Sequence, residues 1–328
     1  MSKQSVAAIV VTYNRKDLLA ECLEALQKSE YDRSKYELFI YVVNNASTDG
    51  TGEFLDEYAR SHADSYETRI ENDCSPSEVG SAPAFVYHLS ENSGGAGGFA
   101  KGINEACKDG RDYIWLMDDD TMVKPDTLAK LLEAKDILND EFGFLSSLAY
   151  WTDGSLCKMN YHNISKDWYT DKILIRDNIL KIEMATFVSF FVKRETVFKL
   201  GLPYKEYFIW GDDTEYSLRI SRDHKCYLCG QSSVVHKMKA NKSSERYALE
   251  DDEERVKRLF YSFRNDINTY KKQRIKRRIG LFIWYWKEFF SVMLGRRVPY
   301  RGLKLRVLCK AGWAGLWFHP VLKYPEGQ

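Results

Sequence analysis

Three consecutive aspartates, Asp118, Asp119 and Asp120, follow the apolar run "YIWLM". Carboxylates this close repel one another unless a cation neutralises them or burial keeps one protonated. Because the acids leave a strand-like run, a divalent ion is the natural solution. Mg²⁺ would take one or two carboxylates together with substrate phosphates. A solvated acidic turn is the plain alternative. A second acidic set, Asp212, Asp213 and Glu215, stands in "FIWGDDTEYSLR" at the start of a helix pattern. Acids there can simply cap the first turn. Beside the aromatic platform of Trp210, Asp212 can equally serve as a general base toward a hydroxyl. His236 closes the run "SSVVH" and is either a packed core imidazole or a third metal ligand or phosphate contact.

The stretch "ENSGGAGGFA" raises a competing chemistry. Gly95, Gly97 and Ala100 satisfy the glycine pattern of a dinucleotide-binding turn, and Asp118–Asp120 lie about twenty residues further on, where the fingerprint expects an acid. Ribose recognition needs one acid, however, and three imply a metal that hydride transfer does not use. Two β-α units also precede the glycines, whereas the fingerprint usually opens its domain. A dinucleotide-dependent oxidoreductase therefore stands only as a rival reading. A nucleotidyltransferase fits less well, since the first strand ends in "TYNR" and not in a glycine-rich loop with a lysine.

The elements that must position these residues follow from periodicity. "VAAIVVTYN" is a β-rich run, and "RKDLLAECLEALQKS" places Leu18, Leu19, Cys22, Leu23 and Leu26 at helical spacing. "YELFIYVVNNAS" predicts a second strand, and "NASTDGTGEFLDEYARS" supplies a Ser/Thr/Asp helix start. Residues 61–84 read as a polar loop insertion. "AFVYHL", the glycine stretch with its helix, and "DYIWLMDDDT" complete a β-α-β-α-β-α-β succession. The fold class expected is α/β, with a mostly parallel sheet covered by helices on both faces. Ligands in such sheets bind beyond the carboxyl ends of the strands. Thr12, Tyr13, Asn14, Asn44, Asn45, Asn92 and Asp118–Asp120 all fall at those ends. Further on, the pattern predicts a helix over 126–138, a strand in "FGFLSSLAYW" and a strand then a helix in "KIEMATFVSFFVKRETVFKLG". A short strand ends at His236, and residues 245–328 are mainly helical.

A chain of 328 residues with 44% apolar composition can bury one large core with an appendage. The seven cysteines are scattered; Cys226 and Cys229 form a lone C-x-x-C without a second ligand pair, which favours buried thiols in a reducing compartment over zinc. The first residues lack the apolar stretch of a signal peptide, and no run of about twenty apolar residues could span a bilayer. A cytoplasmic catalytic part is expected. The net charge of +1 hides a strong asymmetry. Between Lys271 and Lys310 stand thirteen Lys/Arg against the single acid Glu288, which leaves about −11 on residues 1–270.

Taken together, "VVTYNR", "VVNNASTDGT", "ENSGGAGGFAKG", "WLMDDDT", "FIWGDDTEYSLR" and "VVHK" resemble the family 2 inverting glycosyltransferases of the GT-A fold, over roughly residues 5–240. The glycine-rich stretch and triple aspartate are most similar to the galactofuranosyltransferase and rhamnosyltransferase-like branch. The resemblance implies a catalytic, nucleotide-sugar-binding domain over 1–240 and a helical region over 241–328. Thr12, Tyr13 and Arg15 would line the nucleotide, and Asn92, Gly94 and Gly95 would let backbone approach it closely. Asn44 stands where the family usually has an aspartate that accepts from uracil, so UDP and dTDP both stay open. Asp118 and Asp120, with His236, would hold Mn²⁺ or Mg²⁺ against the donor diphosphate, and Asp119 would meet the donor sugar or ribose. Asp212 would be the base, with Asp213 and Trp210 at the acceptor. The reaction implied is a single inverting displacement at the anomeric carbon, on a glycan or polyprenyl-diphosphate-linked precursor of a bacterial surface polysaccharide such as capsule or O-antigen. UDP-galactofuranose is the favoured donor and dTDP-rhamnose the alternative; a non-catalytic nucleotide-sugar-binding scaffold is the rival of another class.

Residues 271–318 interleave cations with Trp, Tyr and Phe. No nucleic-acid module is recognisable, and the amphipathic setting favours a helix pair resting on anionic lipid at the inner face of the cell membrane. The plain alternative is that its apolar face packs on the catalytic domain. Homo-oligomerisation is compatible with either.

Overall fold

The computed structural model describes residues 3–61, 66–69, 82–170, 172–241 and 247–327. The predicted succession forms as strands β1 (Gln4–Thr12), β2 (Tyr36–Asn44), β3 (Tyr66–Arg69), β4 (Ala84–His88) and β5 (Tyr113–Asp118), with helices α1 (Lys16–Gln27), α2 (Thr51–Ser61) and α3 (Gly94–Lys108) between them. After Asp118 come β6 (Thr121–Val123), α4 (Thr127–Ile137), β7 (Phe144–Tyr150), β8 (Asn163–Ile164), α5 (Lys172–Arg176), β9 (Ile179–Met184), β10 (Phe190–Lys193), α6 (Arg194–Leu200), α7 (Asp212–Ile220) and β11 (Cys226–His236). The chain ends in α8 (Glu253–Lys271), α9 (Ile275–Leu294) and α10 (Arg301–Trp317).

The eleven strands among the described residues join one sheet in the order β3-β4-β2-β1-β5-β10-β7-β11-β9-β8, with β6 paired to β11. Pairing is parallel from β3 through β5, as the β-α alternation predicts. Beyond β5 the sheet is mixed: β10 runs antiparallel to both β5 and β7, and β11 is parallel to β7 but antiparallel to β9. The segment expected to hold one strand before α6 holds two, because Ala185–Ser189 turns the chain between β9 and β10. Residues 61–84, expected to be a loop, include β3 on the sheet edge; most of that stretch lies outside the described residues.

Alternating side chains of each strand feed two cores. Val6, Ala8 and Val10 of β1 face α1 and α4, whereas Ala7, Ile9 and Val11 face α3 and the α6–α7 side. Cys226 and Cys229 divide between these two faces, so their thiols do not converge, and burial pushes both up to about 12. The three C-terminal helices have a smaller core of their own, built on Val256, Phe263, Val292, Val307, Leu308 and Ala311. They are also fastened to the sheet domain. Lys272 Nζ donates to the Tyr204 hydroxyl at 3.1 Å, Arg277 pairs with Glu183, and the tail returns so that Leu202 N donates to Lys323 O at 2.8 Å and Glu326 N to Asn104 Oδ1 at 3.0 Å.

Candidate active site

Strand register brings the predicted polar residues to one edge. Thr12 pairs with Asn44, Val11 with Asp118, and Asn44 with His88, so the carboxyl ends of β1, β2, β4 and β5 lie side by side. The sheet then reverses: β6 leaves the aspartates and pairs with the end of β11, placing His236 opposite Thr121. His236 Nε2 lies 2.9 Å from Asp120 Oδ1, and Lys237 N donates to Asp120 O at 2.8 Å. Asp118, Asp120 and His236 each offer a ligand atom within 4.8 Å of the others, the only such group among the described residues.

The electrostatics of this set show why a cation suits it. Burial, and then the charge of Asp120, raise the Asp118 carboxyl to about 7. Burial also lifts Asp119 to about 6, against the pull of Arg15 and the Thr12 hydroxyl. Asp120 stays low despite burial, because His236 hydrogen-bonds it and lends it positive charge. Burial alone would depress His236; its hydrogen bond to Asp120, with the neighbouring negative charges, lifts it to about 10. Two carboxylates and an imidazole in one buried edge form an oxygen-and-nitrogen donor set that fits a divalent ion. The ion would take the place of the imidazolium proton, since a metal ligand must be deprotonated. Asn160, a lone amide with no signal in sequence, orients the ring: its Nδ2 donates to Thr186 Oγ1 at 3.0 Å, leaving Oδ1 to meet His236 Nδ1 at 2.8 Å. That contact turns Nε2 toward the acids.

Several predicted donor residues are committed to building the site. Thr12, almost fully buried, donates to Asp119 Oδ2 at 2.7 Å. Arg15 reaches from the surface to Asp119 at 3.2 Å and Asp120 at 2.6 Å. Asn44 Oδ1 accepts from Ser47 N at 3.1 Å, and its Nδ2 meets His88 Nδ1 at 3.0 Å. Asn92 Oδ1 accepts from Gly94 N at 2.8 Å and from Asn45 Nδ2 at 3.1 Å, which makes Asn92 a turn builder at the mouth of α3. Asn45 ties the end of β2 to this turn, accepting from Ser93 N at 2.9 Å and donating to Gly94 O at 2.9 Å. Tyr13 is exposed at the edge.

The glycine cluster divides by role. Gly94 has φ +73° and its Cα abuts the backbone of Phe208. Gly98 and Gly102 let α3 lie against Val11 and Ile9 of β1. Gly95 alone of the first four has no heavy atom within 4 Å of where a side chain would begin, so it fronts open space at the sheet edge.

Across the site, α7 is capped by Gly211, whose left-handed φ of +83° follows the two positive-φ residues Phe208 and Trp210. Asp212 is buried in the first turn. Burial raises its carboxyl well above the ordinary range, reinforced by Asp213 and by the charge of Asp118, so the candidate base and the acid cluster feel one another. Asp213 Oδ1 accepts from Thr214 N at 2.6 Å. Asp266 of α8, also missed in the sequence, is lifted to about 7 by burial and by Asp213. Trp210 is half-buried, with the Arg258 guanidinium 6.0 Å from its ring. Glu215 has a structural role: it pairs with Arg219 at 2.7 Å in the interior, and Arg219 also donates to the carbonyls of Leu200 and Leu202.

A parallel half-sheet with acids at its carboxyl edge, completed by antiparallel strands that return a histidine to them, is the architecture of a GT-A glycosyltransferase. Solved structures share this fold. GalNAc-T7 with UDP, GalNAc and Mn²⁺ aligns over 94% of this chain with a TM-score of 0.59 at 14% identity, the match covering 55% of that longer protein. S. aureus TarS 1-349 in complex with UDP-GlcNAc aligns over 95% of this chain and 81% of its own, with a TM-score of 0.56 at 13% identity. The mannosyltransferase PcManGT from Pyrobaculum calidifontis, with GDP-Man and Mn²⁺, aligns over 98% of this chain and 77% of its own, with a TM-score of 0.52 at 15% identity. The chain belongs to glycosyl transferase family 2, whose profile matches residues 7–193, more than half its length. It is 25% identical over 247 residues to the galactofuranosyltransferase GlfT1 of Mycolicibacterium smegmatis (strain ATCC 700084 / mc(2)155), a match covering 70% of each chain. The protein is thus a glycosyltransferase of the kind that uses nucleotide sugars.

Proposed function

We propose that this glycosyltransferase is a metal-dependent inverting enzyme that moves galactofuranose from UDP-galactofuranose to a hydroxyl of a surface polysaccharide precursor. The observation that carries the reading is the pairing of Asp118, Asp120 and His236 with a separate buried carboxylate, Asp212. Asp118, Asp120 and His236 would hold Mn²⁺ or Mg²⁺, which supplies charge stabilisation for a departing diphosphate. Asp212 accepts the proton of the acceptor hydroxyl, whose oxygen attacks the anomeric carbon from the face opposite the leaving group. The bond from that carbon to the diphosphate oxygen breaks, and the configuration inverts. Gly95 would leave room for the donor and Tyr13 would flank the nucleotide, while Trp210 and Asp213 would meet the acceptor. Asn44 carries no charge where a uracil-binding carboxylate is usual, which keeps dTDP-rhamnose as a second donor to test.

The lipid-linked acceptor and a peripheral membrane location are supported by α9. No helix among the described residues is long and apolar enough to cross a membrane. Yet Ile275, Ile279, Phe282, Ile283, Trp286 and Phe290 form an exposed stripe along α9, with exposed Trp313 and Trp317 on α10 and Lys276, Arg278, Lys287, Arg296 and Arg297 around them. A surface of this composition suits an anionic bilayer. The decisive experiment screens UDP-galactofuranose, UDP-galactose and dTDP-rhamnose for Mn²⁺-dependent thermal stabilisation and nucleotide release. UDP-galactofuranose is expected to give the largest response, and stabilisation by all three without added metal would refute the reading.

A further inference from the structure

The turn that delivers Asp212 holds a backbone it would not adopt unaided. Phe208 has φ +65° and ψ −65°, a strained γ-turn, and Trp210 has φ +62°; residues in such sparsely populated regions cost about 1–3 kcal/mol each. Such conformations persist only where the surroundings over-determine them. One side of the turn is held by α3, where Ala96 N donates to Phe208 O at 3.1 Å. The other side is held by α8, and chiefly by one side chain.

Asn265 is fully buried, and its Nδ2 faces three carbonyl oxygens at once: Tyr207 at 2.9 Å, Ile209 at 3.2 Å and Trp210 at 2.7 Å. Three carbonyls can only accept, so the facing edge of the amide must be its donor edge. The opposite edge is fixed as well, since Oδ1 accepts from Arg264 Nε at 3.0 Å and Nη2 at 2.8 Å. Arg264 Nη2 in turn donates to Glu206 O at 2.7 Å, and its guanidinium lies 3.9 Å from the centre of the Phe318 ring. A Cβ on Gly211, the last residue before Asp212, would lie 3.5 Å from the Cβ of Asn265, so this turn runs close beside that side chain.

We propose that Asn265 is a positioning residue for the transfer step: by gathering the Tyr207, Ile209 and Trp210 carbonyls, it fixes the start of α7 and hence Asp212. The inference rests on Asp212 being the base. Its consequence is that α8, beyond the residues matched by the family profile, is part of the catalytic unit and not a detachable appendage.

The test uses the full chain and two readouts. Hydrogen exchange across residues 206–213 needs no substrate, and nucleotide release from UDP-galactofuranose is read against Mn²⁺–UDP affinity by calorimetry. In Asn265→Ala, exchange in that turn rises, UDP affinity stays within about twofold, and kcat falls about 10²-fold, the cost of a base displaced by about 1 Å. Asn265→Ser, which keeps one donor, is expected to lie between and serves if the alanine variant does not fold. Thr269→Val removes a 2.9 Å bond from the same helix to the Tyr207 hydroxyl without touching the carbonyls. It should lower Tm comparably yet keep kcat within about threefold. Unchanged exchange and turnover in Asn265→Ala would overturn the inference, as would an equal kcat loss in Thr269→Val. Failure of the underlying reading looks different: turnover persisting in Asp212→Asn removes Asp212 as base whatever Asn265 does.

Discussion

Two adjacent glycines should respond to the same substitution with opposite signs in stability. A Cβ on Gly94 would come to 2.5 Å from the carbonyl carbon of Phe208 and 2.8 Å from its Cα, and nearer still to the oxygen. Carbon atoms rest about 3.5–4.0 Å apart, so the Phe208 backbone must retreat by about 1 Å, carrying the turn that leads to Asp212. The left-handed φ of +73° adds about 1–2 kcal/mol of strain for alanine. Gly94→Ala should therefore lose at least that much stability and, through displacement of the base, about 10²-fold in kcat. Gly95→Ala meets nothing within 4 Å and replaces a helical glycine, so the protein should gain about 0.4–1 kcal/mol. If the donor occupies the space before Gly95, that more stable variant must bind it more weakly. Chemical denaturation read beside calorimetric titration of Mn²⁺–UDP resolves the two effects. Gly95→Ala with unchanged UDP affinity would refute its place in the donor site, and Gly94→Ala with wild-type stability would refute the packing argument.

Further outcomes follow from other residues. Asp212→Asn should keep UDP and metal binding while kcat falls about 10²–10⁴-fold; near-normal turnover would remove it as base. Because burial and then Asp213 and Asp118 hold the Asp212 carboxyl well above the ordinary range, kcat should be full above that raised value and fall as pH drops through it. A pH–rate profile flat down to pH 4 would contradict this. His236→Ala should abolish Mn²⁺-dependent thermal stabilisation and leave the apo protein folded, and retention of the Mn²⁺ response would exclude the imidazole as ligand. Glu215→Gln strands the buried Arg219 charge and should cost about 3–5 kcal/mol in urea unfolding, whereas a loss below about 1 kcal/mol would show the pair to be unimportant. Phe282→Ser with Trp286→Ser should reduce sedimentation with anionic liposomes and leave Tm unchanged. Point substitutions test this surface better than deletion of α9 and α10, because α10 packs along α8 and its removal would expose the core around Phe263.

The sequence by itself determined the parallel half of the sheet, because alternation of buried strands and amphipathic helices leaves few other arrangements. It also determined the edge where chemistry gathers: polar residues at four successive strand ends must converge when those strands are parallel and in register. The metal-type cluster was legible as three acids after a buried strand, but its third member was legible only as a strand-end histidine. Tertiary structure decided that His236 meets Asp120, since an antiparallel return of β6 onto β11 leaves no local periodicity to read. It decided the division of the glycines too, because whether a missing Cβ serves packing or access depends on what lies opposite: Phe208 for Gly94, open space for Gly95. Asn160 and Asn265 carry no signal in sequence, being single amides whose partners lie 76 and about 55 positions away. Only the folded chain could show that the turn before Asp212 is shaped by α8, since the bonds that hold it join backbone carbonyls, whose positions no side-chain pattern encodes.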